Sequence, residues 1–173
     1  KRPSDLYAVL DLVAKLPKTD LAAAKGGLCD EMVAKVESLD LVTTGLRVTM
    51  RGYQAFGAKY AVVQKKTILG DEMGLGKTIE ALAFYAHLRA KGKPRALIIC
   101  PASVVANWEN EIAKWSDFAS ITLHGSQKIE SYREWMKRDV MGITTFDTLS
   151  ALPLEREFLP DVLIVDEAHF AKN

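Results

Sequence analysis

The densest chemical signal in this 173-residue sequence is the run Gly70-Asp71-Glu72-Met73-Gly74-Leu75-Gly76-Lys77-Thr78. Glycines at 74 and 76 admit backbone conformations and close approaches that a side chain would block, so successive N–H groups can point at phosphate oxygens above a helix N-terminus. Lys77 supplies a point charge for the β and γ phosphates, and the Thr78 hydroxyl is the type of group that ligates a nucleotide's Mg²⁺. The general phosphate-loop pattern would place glycine at position 71, where this chain has Asp71. A plain glycine-rich turn with a solvated lysine is the alternative for this segment taken alone.

A second signal stands 166 − 77 = 89 residues later, where Asp161-Val162-Leu163-Ile164-Val165 runs into Asp166-Glu167-Ala168-His169. Phosphoryl transfer needs one carboxylate to hold Mg²⁺ and another group to orient or deprotonate the attacking water, and Asp166 and Glu167 suit those roles. An acidic turn after an edge strand is the rival reading. Lys77, Asp166 and Glu167 together are the candidate catalytic set, and if both motifs follow strands of one parallel sheet they converge on one nucleotide.

The elements that must position these residues show in the hydrophobic pattern. Thr67–Leu69, Ala96–Cys100, Ile121–Leu123, Val140–Ile143 and Val162–Val165 are short, mostly β-branched or aliphatic runs that predict buried strands. Between them, Thr78–Lys91, Val104–Trp115 and Gln127–Arg138 carry apolar residues at helical spacing, as in Val104, Trp108, Ile112 and Trp115. Repeated strand–helix–strand order predicts an α/β fold, a parallel sheet with helices on both faces. Ahead of it, the pattern changes near Thr43-Thr44-Gly45. Ser4 is placed to cap a helix over Leu6–Val13, Asp30 to open another with Val33 and Val36, and Gln54–Val63 reads as a third helix. Residues 1–44 are thus expected to be a helical segment, and 45–173 the α/β domain.

Composition narrows the function classes. The chain is 49% apolar and 26% charged, an ordinary globular balance, and its net charge of +1 advertises no polyanionic partner globally. Any nucleic-acid contact must be local. No apolar run approaches the roughly 18–20 residues of a membrane span, so no membrane association is expected. Two cysteines cannot build a disulfide framework, and Lys1-Arg2-Pro3-Ser4-Asp5 has no secretory character, so an intracellular location is expected. His87, His124 and His169 are too scattered for a zinc site. Trp108, Trp115 and Trp135 lie at core spacing with Ile112, Tyr132 and Met136, which favours packing over base stacking.

Taken together, these residues resemble the Snf2-type ATPases of helicase superfamily 2. Asp71 through Thr78 is similar to that family's motif I, its departure from the general pattern included, and Asp166-Glu167-Ala168-His169 with Lys172-Asn173 to motif II. Ile99-Cys100-Pro101-Ala102-Ser103, with Asn107-Trp108-Glu109 and Trp115, resembles motif Ia. His124-Gly125 and Ile143-Thr144-Thr145-Phe146-Asp147 resemble two further segments, and Met50-Arg51-Gly52-Tyr53-Gln54 resembles the adenine-reading segment with changes at Met50 and Gly52. The Asp-Glu-Ala-His-Phe-x-Lys-Asn ending resembles the distal, fork-remodelling branch.

The resemblance implies a RecA-like first lobe of a two-lobe ATPase, with ATP and Mg²⁺ as cofactors. Arg51, Gln54, Gly74, Leu75, Gly76, Lys77 and Thr78 would bind nucleotide, and Thr78 and Asp166 would hold Mg²⁺ through nucleotide and water. Ser103, His124, Gly125, Thr144 and Thr145 would touch the phosphate backbone of DNA, duplex or forked, contacts that position without reading sequence. The second RecA-like lobe, with arginine fingers worth about 10³–10⁵ in rate in comparable enzymes, lies outside these residues. The chain by itself is therefore expected to bind nucleotide weakly and hydrolyse it negligibly. Two alternatives stay open: an RNA helicase lobe, expected to carry Pro-Thr-Arg-Glu rather than Pro101-Ala102-Ser103, and a non-catalytic nucleotide- or DNA-binding scaffold. The location would be the cytoplasm and nucleoid of a bacterium or the nucleus of a eukaryote.

Overall fold

The computed structural model describes residue 25 and residues 27–69, 75–153 and 160–168. The chain divides into two compact units, one of Lys1–Leu41 with Thr49–Glu80, the other of Val42–Val48 with Ala81–Asn173. The helix expected over Leu6–Val13 lies outside the described residues.

In the first unit, α1 (Asp30–Glu37) opens with two acidic residues and closes with Lys35, complementing the helix dipole at both ends. Its Glu37 carbonyl accepts from Lys59 Nζ at 3.3 Å, on α2 (Gly52–Gln64). Helix α2 stops at Lys65, whose positive φ of 64° still lets its N–H donate to Ala61 O. Helix α3 (Lys77–Ala90) begins in this unit, and its residues from Ala81 onward belong to the second.

The second unit is built on four parallel strands in the order β2-β3-β1-β4: β1 (Ala96–Cys100), β2 (Ser120–Thr122), β3 (Met141–Thr145) and β4 (Val162–Val165). β1 pairs with β3 from Ala96↔Met141 to Cys100↔Thr145, and with β4 from Ala96↔Val162 to Ile99↔Val165. All five residues of β1 and of β3 are buried, as central parallel strands covered on both faces require. On one face Ile98, Cys100, Met141, Ile143 and Val162 pack with Leu82, Tyr85 and Ala86 of α3 and with Trp108 and Ile112 of α4 (Val105–Trp115). On the other, Leu97 and Ile99 pack with Tyr132 and Trp135 of α5 (Lys128–Met136). A short α6 (Phe146–Leu149) follows β3. The expected α/β architecture, with helices on both sheet faces, is what these two clusters define.

One expected strand is absent among the described residues. Thr67–Leu69 forms no ladder among the described residues, and Ile68 is 89% exposed. Three aliphatic or β-branched residues make a strand only when a neighbouring backbone takes up their N–H and C=O groups. Among the described residues, then, only the acidic motif follows a sheet strand.

Within the second unit, the segment Val42–Val48 straps onto the part that begins at Ala81. Val42 N–H donates to Nδ1 of the buried His87, Leu46 forms an antiparallel bridge with Ser116, and Asp117 N–H donates to Gly45 O. Gly45 sits at φ 94° against the Phe118 ring, where a Cβ would lie 2.4 Å from a ring carbon. Phe118 in turn meets Tyr85 edge-on at 5.0 Å and lies under the Arg89 guanidinium.

Candidate functional site

In the first unit the described end of the phosphate loop is Leu75-Gly76, leading into Lys77 and Thr78 on the first turn of α3. Gly74 and the residues from 70 to 73 lie outside the described set. Gly76 adopts φ 84°, a left-handed conformation, and its carbonyl accepts from Ile79 and Glu80 to start the helix. A Cβ there would lie 2.6 Å from Gln54 Nε2, so only glycine fits both the dihedral and the space.

Gln54 and Tyr53 hold this loop end. The Tyr53 hydroxyl and Gln54 Nε2 both donate to Leu75 O, at 2.8 and 3.0 Å, while Gln54 Oε1 accepts from Arg51 N–H at 2.9 Å. Gln54 is 5% exposed, with both ends of its amide engaged inside the unit, and Arg51 is exposed. The role of Tyr53 was not drawn from the sequence; its signal is a phenol beside the motif glutamine.

In the second unit, parallel pairing delivers the residues after β1, β2, β3 and β4 to one edge of the sheet, where ligands of such sheets bind. Asp166 stands there with three ties. Its N–H donates to Ile99 O at 2.9 Å, its Oδ1 accepts from Glu167 N–H at 2.9 Å, and its Oδ2 accepts from Trp108 Nε1 at 2.9 Å. Glu167 is exposed and has a φ of 51°, uncommon for a residue with a side chain and costing roughly 1–2 kcal/mol. Strain of this type gathers at sites where a side chain must be aimed. Nearby, burial foremost and then the Asp166 charge push the Cys100 thiol up from 9.0 to about 11. That thiol is a protonated core residue, facing Thr144 O at 3.8 Å.

The other expected contacts divide into exposed and buried. Ser103 is exposed on the 3₁₀ turn Ala102–Val104, and Val104, not Ser103, takes the N-cap position of α4. His124 and Gly125 are exposed, Gly125 with φ 82°, and His124 Nδ1 lies 2.9 Å from Thr148 Oγ1. Thr144 and Thr145 are 0% and 2% exposed. Thr144 Oγ1 donates to Leu123 O at 3.1 Å, and Thr145 Oγ1 accepts Thr148 N–H to cap α6. β3 is covered on both faces to its last residue, so both hydroxyls are engaged inside the fold. The expectation that Trp108 packs in the core is met, since it is 3% exposed, yet its indole N–H also serves Asp166.

The residues present fit a bound nucleotide on one structural ground. The Gly76 hollow brings bare backbone to the mouth of α3, whose first turn carries the N–H groups and dipole that favour phosphate.

The family description SNF2-related domain matches residues 48–173. The Drosophila melanogaster homolog of the SWI/SNF-related matrix-associated actin-dependent regulator of chromatin subfamily A containing DEAD/H box 1 is 34% identical across 90% of this chain. Chromodomain-helicase-DNA-binding protein 8 of Danio rerio is 36% identical across 72% of it. Among solved structures, the Sulfolobus solfataricus SWI2/SNF2 ATPase core in complex with dsDNA matches 78% of the chain with a TM-score of 0.66 at 27% identity. The α/β fold is thus the one shared with the solved Sulfolobus SWI2/SNF2 ATPase core. This chain belongs to the SNF2-related family. It spans 22% of the Drosophila protein, 6% of the zebrafish protein and 30% of the solved Sulfolobus chain.

Proposed function

We propose that this chain is the ATP-binding first lobe of a DNA-dependent ATPase that translocates on duplex DNA and remodels protein–DNA complexes or forks. The observation that carries the reading is the Gly76 hollow, walled by Gln54 and leading into Lys77 at the start of α3, within a chain whose family match runs from 48 to 173. Lys77 holds the β and γ phosphates, with Gly74, Leu75 and Gly76 supplying backbone N–H groups. Thr78 and Asp166 are the residues that would hold Mg²⁺, and the ion would supply charge neutralisation when bound. Glu167 orients the attacking water and takes its proton. Arg51, the exposed member of the pair assigned to adenine, carries more of that contact than Gln54, whose amide is committed to Arg51 N and Leu75 O.

Exposed Ser103, His124 and Gly125 meet the DNA backbone at the sheet edge, with Thr144 and Thr145 holding the loops beneath them. The Sulfolobus core solved with dsDNA supports duplex DNA as the partner. A second RecA-like lobe completes the enzyme, and the site of action is the nucleus of a eukaryote or the cytoplasm and nucleoid of a bacterium. Among the described residues no helix is long and apolar enough to cross a membrane.

The test is ATP hydrolysis by the intact protein with duplex DNA, single strands, forked DNA and RNA, alongside Lys77→Ala. The expected result is stimulation by duplex or forked DNA, with the Lys77 variant falling at least a hundredfold. Stimulation by RNA alone would overturn the reading in favour of an RNA helicase, and no stimulation by any of them in favour of a scaffold.

A further inference from the structure

The Asp166 carboxylate is held by donors from two separate stretches of chain. Glu167 N–H takes Oδ1, while Nε1 of Trp108, 58 positions earlier on α4, takes Oδ2 at 2.9 Å. With its backbone N–H on Ile99 O, Asp166 is tied at three points, which leaves its side chain little torsional freedom. The donor is itself immobile: the Trp108 ring is 3% exposed within the cluster formed by β1, β3, α3 and α4.

The chemistry of this donor is particular. An indole N–H only donates, so it cannot take a place among metal ligands, and it carries no charge, so it orients the carboxylate without neutralising it. A lysine or arginine in its place would hold the same oxygen but compete with a cation for its negative charge. Each carboxylate oxygen has two lone pairs, so one on each remains after the two hydrogen bonds are made.

We propose that Trp108 is a positioning residue for Asp166, fixing the direction in which the carboxylate presents its remaining lone pairs to a divalent cation. This rests on the assignment of Asp166 to Mg²⁺ given above. Outer-shell partners of metal-holding carboxylates are worth roughly 10–100-fold in metal affinity or activity, and Trp108 occupies that place here.

The test compares Trp108→Phe, Trp115→Phe and Asp166→Asn in the intact protein. Trp115 lies on the same helix and donates to Glu111 at 2.8 Å, so its variant controls for loss of an indole N–H elsewhere. Trp108→Phe is expected to raise the half-saturating Mg²⁺ concentration about tenfold and lower kcat about tenfold, with KM for ATP at saturating Mg²⁺ unchanged. Trp115→Phe is expected to move none of these. A second readout needs no variant protein to fold well: the indole N–H proton resonance of Trp108 is expected to shift when Mg²⁺ and ADP are added together and to stay in place with Mg²⁺ alone. Wild-type Mg²⁺ dependence in Trp108→Phe, or a Trp108 resonance unmoved by Mg²⁺ and ADP, overturns the proposal. If Asp166→Asn itself leaves Mg²⁺ dependence unaltered, the assignment of Asp166 fails first. If Asp166→Asn is inactive while Trp108→Phe matches wild type, only the role of Trp108 fails.

Discussion

Gly76 concentrates the demands on the loop into one residue, because its φ of 84° and the 2.6 Å approach of Gln54 Nε2 both exclude a side chain. Gly76→Ala is expected to weaken nucleotide binding about tenfold, the equivalent of a 1–2 kcal/mol left-handed penalty for a residue with a Cβ. Titration calorimetry with ADP checks this, and wild-type affinity in the variant would remove Gly76 from the cradle. The loop and Asp166-Glu167 stand out in the sequence because glycines, a lysine and paired carboxylates at that spacing suit one chemistry. That the Thr144 and Thr145 hydroxyls are buried could not be read, because a threonine serves equally in a buried strand and at an exposed phosphate contact. The tie from Trp108 to Asp166 was likewise out of reach: helical spacing reports which face of α4 is buried, not where one indole N–H points.

Among the elements, Ala96–Cys100 and Val162–Val165 show their limits in sequence because their apolar runs are bounded by polar or proline residues. Helix α4 follows its apolar spacing to within one residue at the start. The strand expected at Thr67–Leu69 shows the limit of such reading, since pairing depends on a neighbour that local sequence does not specify. Gly142, the second residue of β3, has no local signal either. The structure supplies the reason, for a Cβ there would lie 2.9 Å from Trp135 Cε2 and 3.1 Å from Leu123 Cδ1. Trp135 cannot easily yield, because it is fully buried and its Nε1 donates to Val140 O at 3.0 Å. Gly142→Ala is expected to destabilise the protein by about 1–3 kcal/mol through overpacking. A lower urea midpoint at unchanged slope is the measurement that checks it.

For the molecule as a whole, a net charge of +1 leaves DNA attraction to local surfaces, and alkaline pH becomes the condition that most directly stresses the core. Burial, partly offset by Arg89, pushes the Tyr85 hydroxyl from 10.0 up to about 12, where it donates to Pro94 O, and Cys100 is pushed from 9.0 to about 11. Both groups bind protons more tightly when folded. Their contribution is therefore fully present below pH 9.0 and is lost as pH rises through about 11 and 12, because the unfolded chain releases these protons first. Urea midpoints just below pH 9 and near pH 11 are expected to fall, and Cys100→Ala to flatten the lower part of that decline. The strap from Val42 to Val48 bears on anyone trimming the gene. The family match begins at residue 48, and a cloning start there would discard the bridge from Leu46 to Ser116 and the cap of Gly45 over Phe118, while a start at Gly45, where the sequence pattern changes, would discard the bond from Val42 N–H to His87. An open reading frame beginning no later than Asp40 keeps that edge of the domain closed.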